Sequence, residues 1–83
     1  MTYHNSNVFK MLHWNANGIS NKSKLTQFEL LLERENINIA SLNETFFTDE
    51  HKPYFKNYFL YRNDRTDSRG GGVALLVHKS IKH

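Results

Sequence analysis

One carboxylate and two amides stand where short apolar runs give way to polar residues. Glu44 follows the run 37–42 (INIASL) and Asn43, while Asn15 and Asn17 follow the run 8–14 (VFKMLHW). If both runs are strands that end at one edge of a sheet, these side chains converge there. Hard divalent cations take oxygen ligands, and Mg²⁺ commonly keeps several waters beside one or two carboxylates. Glu44 with amide neighbours is therefore a sufficient start for a Mg²⁺ or Mn²⁺ shell. Each residue has a structural reading as well. Glu44 and Thr45 suit the start of a loop or helical turn, Asn17-Gly18 is a strong turn signal, and Asn15 can satisfy backbone groups where a strand ends. Spacing alone leaves both readings open.

A second group lies further along. Arg62, Arg65 and Arg69, with Tyr61 beside them, could set guanidinium forks on phosphates or only keep a polar loop soluble. Gly70, Gly71 and Gly72 would let a backbone approach a nucleic-acid strand, or simply form a turn. No Gly-Lys-Ser/Thr follows them, which excludes a P-loop. The five histidines, His4, His13, His51, His78 and His83, show no paired spacing of the H-x-x-x-H kind, so no zinc site is read from them. With no cysteine, disulfides and thiolate metal sites are excluded.

The elements that would position these groups follow from periodicity. Residues 8–14 alternate as a buried strand, with Phe9 and Met11 on one side and Val8, Leu12 and Trp14 on the other. The turn formers of 15–21 end it. In 22–35, Leu25, Phe28, Leu31 and Leu32 recur at helical intervals, with Ser20 or Asn21 as N-cap and Asn36 as stop. Residues 37–42 suit a second buried strand, and strand, helix, strand implies a right-handed parallel crossover. Asn15 and Glu44 then share the carboxyl edge, where open α/β folds place ligands. Residues 46–56, with the only proline at Pro53, read as connection. Residues 58–62 and 73–77 read as an antiparallel hairpin around a long polar, glycine-rich loop.

Composition narrows the class. Eighty-three residues suffice for one small domain and leave no room for a second. Hydrophobic residues at 39% and charged residues at 23% suit a globular chain rather than a disordered or membrane one. No run approaches the roughly 20 apolar residues of a spanning helix, and no targeting signal is visible. Charge is uneven: residues 1–51 hold four Lys/Arg against six Asp/Glu, net −2, whereas 52–83 hold seven Lys/Arg against two Asp, net +5. A basic half is compatible with phosphate contact or with a solvated surface.

In order along the chain, the strings WNANG (14–18), LNET (42–45) and YRNDRTDSRGGGVALLV (61–77) resemble the endonuclease/exonuclease/phosphatase superfamily, which includes DNase I-like nucleases and apurinic-site repair endonucleases. The third string is most similar to the endonuclease domain of non-LTR retrotransposons of the jockey type. The resemblance implies an α/β fold, the first half of a four-layer sandwich in which two β-sheets pack face to face with helices outside. Residues 1–7 would be a tail, and 8–83 the amino-terminal part of the domain. It further implies that Asn15 orients the substrate phosphate and a metal-bound water, and that Glu44 binds Mg²⁺ (or Mn²⁺) with Asn15 beside it. DNA is the implied partner, met by Asn17, Tyr61, Arg62, Arg65 and Arg69, with a reverse transcriptase in the same polypeptide of the full element. The implied setting is intracellular, and nuclear at the time of action. The complete domain would nick double-stranded DNA and leave a 3′-hydroxyl to prime reverse transcription. The alternative is a non-catalytic remnant or a nucleic-acid-binding module.

The pattern departs from the family at three places. Asn17 stands where the repair enzymes tend to have Asp, and Asn43 where Gln is more frequent. Arg69-Gly70-Gly71-Gly72 replaces a segment that carries a bulky Tyr in the repair enzymes, which favours the retroelement branch. The resemblance also implies a further half with Asp-x-Asn and Ser-Asp-His motifs, and neither occurs in these 83 residues. Alone, the chain is expected to be inactive and to leave Phe9, Met11, Leu75 and Val77, or their neighbours, facing water.

Overall fold

The computed structural model describes residues 2–5, 9–19, 21–64 and 71–83. In chain order they form β1 (Thr2–Asn5), β2 (Lys10–Asn15), α1 (Lys22–Arg34), β3 (Ile39–Asn43), β4 (Tyr58–Asn63) and β5 (Val73–His78). Of the positions singled out above, Val8, Ser20, Arg65, Arg69 and Gly70 lie outside the described residues.

Both ends of α1 are set by asparagines. Asn21 is the N-cap, with φ −67° and ψ 128°, and its Oδ1 accepts from the backbone N–H of Ser23 at 2.8 Å and of Lys24 at 3.2 Å. Two of the donors that a helix start leaves unpaired are thereby satisfied. At the other end Asn36 takes φ +54°, a left-handed conformation that asparagine tolerates. The N–H of Asn36 then reaches the Glu33 carbonyl at 3.2 Å, and that of Ile37 the Leu32 carbonyl at 3.0 Å, a Schellman closure. Phe28 and Leu32 are buried, with Leu25 and Leu31 packed beside them.

The strands make one five-stranded sheet in the order β1-β2-β3-β5-β4. β2 and β3 are parallel, in register from Met11↔Ile39 to Asn15↔Asn43, so the expected crossover through α1 is present. β5 runs antiparallel to both β3 and β4, so the second strand of the expected hairpin inserts beside β3. Leu12, Ala40, Leu42, Tyr58, Ala74 and Leu76 line the core, with Phe28 and Leu32 of α1. The connection between β3 and β4 has no regular element but contributes Phe47 and Phe55 to the same core. Aromatic contacts join these layers: Trp14 to Phe28 at 5.0 Å between centroids, and Phe28 to Phe55 edge-on at 6.3 Å. The Tyr58 hydroxyl donates to the Ile37 carbonyl at 2.6 Å and ties β4 to the end of the crossover.

The opposite face carries three rows. They read Met11, Ile39, Val77, Phe59; then His13, Ser41, Leu75, Tyr61; then Asn15, Asn43, Val73, Asn63. Met11, Phe59, Tyr61, Val73 and Leu75 are 39–50% exposed, so Met11 and Leu75 face water as expected. Val77 does not, at 5%, because it sits on an inner strand between Ile39 and Phe59. Phe9 is half-buried just before β2. Residues 2–5 of the expected tail are instead β1, antiparallel to β2 from Thr2↔His13 to Asn5↔Lys10. Without it β2 would be an edge strand with a row of unpaired backbone groups. The architecture of the described residues is thus a small α/β domain, one mixed sheet with a helix on one face. No helix among them is long and apolar enough to cross a membrane.

Candidate active site

Because β2 and β3 are parallel, their carboxyl ends meet at one edge of the sheet. The amino end of antiparallel β5 and the carboxyl end of β4 arrive at the same edge. Three loops therefore start or finish there, and they continue the sheet by hydrogen bonds. The N–H of Ala16 donates to Asn43 O at 2.9 Å, that of Gly18 to Glu44 O at 2.7 Å, and that of Ile19 to Thr45 O at 3.1 Å. On the other side, Thr45 N–H reaches Gly72 O at 3.3 Å and Phe46 N–H reaches Gly71 O at 2.8 Å. Glu44 lies in the middle of this ladder, between the Asn15–Ile19 loop and the glycine segment. The three strings singled out in the sequence come together here.

The backbone at this edge is bent away from regular strand. Asn17, Glu44 and Phe46 hold φ of +46°, +53° and +58°. Glu and Phe rarely adopt such values, and the strain persists only where surrounding structure over-determines it. Here the flanking hydrogen bonds do so, and they end the strand course at Glu44. Gly72, at φ +78°, makes the close approach feasible: a Cβ there would stand 3.0 Å from Thr45 Oγ1 and 3.4 Å from Asn63 O. Thr45 is fully buried and is a packing residue under the site.

The other candidate residues sort by surroundings. Asn15 is exposed, and its Oδ1 accepts from the Asn17 N–H at 3.2 Å in an Asx turn. Asn17 is exposed at the turn itself. Asn43, in register with Asn15, has a buried Oδ1 with no hydrogen-bond partner. Tyr61 is on the open face two residues from this edge, and its hydroxyl meets His83 Nε2 at 2.5 Å. Arg62 faces inward. Its guanidinium donates to His51 O at 2.6 Å and Thr48 O at 2.7 Å, pairs with Asp64 at 2.6 Å, and lies 5.0 Å from the Phe47 ring centroid. The hollows of about 390 and 440 Å³ lie elsewhere, one between the start of α1 and residues 50–55, the other around Asn36–Asn38 and His78. A third, of about 330 Å³, opens beside this edge and is lined by Ser41, Tyr61, Asn63, Val73 and Leu75.

Lys24 is a contributor that sequence reasoning passed over. Its ammonium donates to Ala16 O at 2.9 Å and Gly18 O at 2.8 Å and sits 5.6 Å from the Trp14 ring centroid. It fastens the Asn15–Ile19 loop to the first turn of α1. In the sequence it was one of several polar residues interspersed in a helix. The turn of the chain between Ile19 and Lys22 brings it over the loop.

Among the described residues no group of three or more His, Cys, Asp or Glu stands together to hold a metal ion. The donors at this edge are the Glu44 carboxylate and amide oxygens, one of those oxygens buried without a donor; the Asp64 carboxylate, just beyond the end of β4, is paired with Arg62. Such a set suits a hard cation that retains much of its water. It does not suit zinc, which prefers nitrogen and sulfur.

No family model matches the chain. Two curated proteins of Drosophila melanogaster are similar to it. The probable RNA-directed DNA polymerase from transposon X-element is 32% identical over 76 residues, covering 89% of this chain. The probable RNA-directed DNA polymerase from transposon BS is 34% identical over 80 residues, covering 93%. The chain spans only 8% and 9% of the length of these relatives. It is therefore related in sequence to transposon-encoded RNA-directed DNA polymerases, and matches a small part of each.

Proposed function

We propose that this chain is the amino-terminal part of a Mg²⁺- or Mn²⁺-dependent DNA endonuclease domain with which a non-LTR retrotransposon nicks its target for reverse transcription. The observation that carries the reading is the hydrogen-bonded ladder that sets Asn15 and Glu44 at the carboxyl ends of adjacent parallel strands, with the glycine segment beside them. Glu44 and Asn15 would hold the cation. When bound, such an ion polarises a phosphate oxygen and lowers the pKa of an attacking water. Glu44 contributes the negative charge that balances it, and Asn15 contributes an amide that orients a phosphate. Lys24 and Gly72 keep the loops of these residues in register. Asn17, Tyr61, Arg65 and Arg69 are proposed to meet DNA, with Arg62 holding their segment against residues 48–51. The similarity to polymerases named for transposons supports a reverse transcriptase elsewhere in the same polypeptide, and copying at the nicked DNA places the action in the nucleus.

A second reading, a nucleic-acid-binding module without catalysis, is favoured because no group of three or more His, Cys, Asp or Glu stands together among the described residues. The two separate in a plasmid-nicking assay on the full-length polypeptide. Glu44→Gln is expected to abolish Mg²⁺-dependent nicking and leave the unfolding transition unchanged, since metal-stabilised charge is a term of several kcal/mol and each 1.4 kcal/mol is about tenfold in rate. Nicking at the wild-type rate would refute the role of Glu44.

A further inference from the structure

We propose that Asn43 is a positioning residue of the cation site, its Oδ1 accepting a hydrogen bond from a water in the cation's shell. The inference rests on the cation-site reading above and goes beyond it by adding a residue to the site. Asn43 Oδ1 is buried and unpartnered. The large majority of buried side-chain polar atoms find a partner, and an unmet acceptor costs the full desolvation of the oxygen.

The neighbours explain why the protein does not meet this need from within. In its own row Asn43 stands between Asn15 and Val73. Val73 has no polar side-chain atom, and the Asn15 Oδ1 is engaged with the Asn17 N–H, with no hydrogen bond from Asn15 to Asn43 Oδ1. In the row behind, the Ser41 hydroxyl is paired with His13 Nδ1 at 3.2 Å. Glu44, next in sequence, carries a carboxylate, which is an acceptor and would attract a hydrated cation. No described residue supplies the donor that Asn43 Oδ1 lacks. Cation-bound water is a strong donor, and Mg²⁺ keeps several such waters. Outer-shell partners of this kind orient the shell and typically change metal affinity by about 10- to 100-fold.

The role predicts an unusual pairing of effects. Removing an unpartnered buried amide should not weaken the metal-free fold, yet it should weaken cation binding. The test uses the full chain, with free Mn²⁺ counted by electron paramagnetic resonance and metal-free stability read from the urea midpoint of Trp14 fluorescence. Asn43→Leu is expected to bind Mn²⁺ about tenfold more weakly with a midpoint equal to or above wild type. Asn43→Asp, nearly the same shape with a charge, is expected to lower the metal-free midpoint and to bind Mn²⁺ more tightly. Unchanged Mn²⁺ affinity in both variants overturns the proposal, as does a lowered midpoint for Asn43→Leu, which would mark the amide as a structural group. Glu44→Gln separates the two levels of inference. If wild type binds no Mn²⁺, or Glu44→Gln binds as well as wild type, the cation-site reading fails and Asn43's role with it. If Glu44→Gln abolishes binding while both Asn43 variants bind as wild type, only the role of Asn43 is overturned.

Discussion

Gly72 and Gly18 border the candidate site on opposite sides, both at positive φ, but their surroundings differ. A Cβ at Gly72 would press on Thr45 Oγ1 at 3.0 Å, whereas one at Gly18 would meet only Phe46 Cδ2 at 3.5 Å, an ordinary contact. Gly72→Ala should therefore destabilise by about 1–3 kcal/mol and more than Gly18→Ala, as read from urea midpoints; equal losses would show that backbone conformation alone decides. Tyr58 makes a second residue-scale prediction. Burial, and then the nearby Glu33 carboxylate, push its hydroxyl up from 10.0 to about 12. Because the folded state holds this proton more tightly than the unfolded chain does, the corresponding stability is fully present below pH 10. It is lost as pH rises through about 12. The urea midpoint should fall over that window in wild type, and Tyr58→Phe should remove this part of the alkaline slope.

At the scale of elements, α1 is the hinge of the design, since it sets the crossover that makes β2 and β3 parallel. Its start depends on one side chain. Asn21 accepts two backbone hydrogen bonds, and Lys24, three residues on, grips the Asn15–Ile19 loop. Asn21→Ala should cost about 1 kcal/mol, and amide exchange should rise in the first turn of α1 and in the Asn15–Ile19 loop together. Faster exchange in the helix alone would show that the cap and the loop are independent. The capping signals were readable in advance because they are local: Asn21 before an apolar-periodic run, and Asn36 after it. The second of the expected strands starts at Ile39 rather than Ile37, and Asn38, which the sequence assigns to it, bonds Lys10 instead. Its Oδ1 accepts from Lys10 N–H at 2.8 Å and its N–H donates to Lys10 O at 2.9 Å.

For the whole molecule, the two faces of the sheet are in different states. One is covered by α1 and the 44–57 connection, and the other presents Met11, Phe59, Tyr61, Val73 and Leu75 to water. A contiguous apolar face of this sort marks an interaction surface or an aggregation site, and the edge strands β1 and β4 add unpaired backbone. The isolated chain is expected to self-associate at micromolar concentration in sedimentation and to show no Mg²⁺-dependent plasmid nicking. Replacing Met11, Phe59 and Leu75 by threonine should reduce the association and lower the urea midpoint less than the same change at fully buried Leu12, Leu42 and Leu76, because these side chains are 39–45% exposed in the monomer. A wild-type chain that stays monomeric with a sharp unfolding transition would argue against an unfinished face.

What the sequence determined by itself was local or periodic. Helical spacing located Leu25, Phe28, Leu31 and Leu32, the apolar runs located the strands, and strand-helix-strand order was enough to put Asn15 and the residues around Glu44 at one edge, because a short crossover has one favoured hand. Tertiary structure decided everything that needs two distant segments to meet. The pairing of β5 with β3 is such a case, since a hairpin's position in a sheet depends on which edge is free when it docks. The pairing of Thr2–Asn5 with β2 is another, for a four-residue strand carries too little pattern to announce itself. The same holds for the inward turn of Arg62, drawn to carbonyls 11 and 14 residues away, whereas Lys24 meets carbonyls only eight and six residues before it. Asn43 is the clearest instance. In sequence it is one amide among several, and only packing leaves its oxygen buried and without a partner.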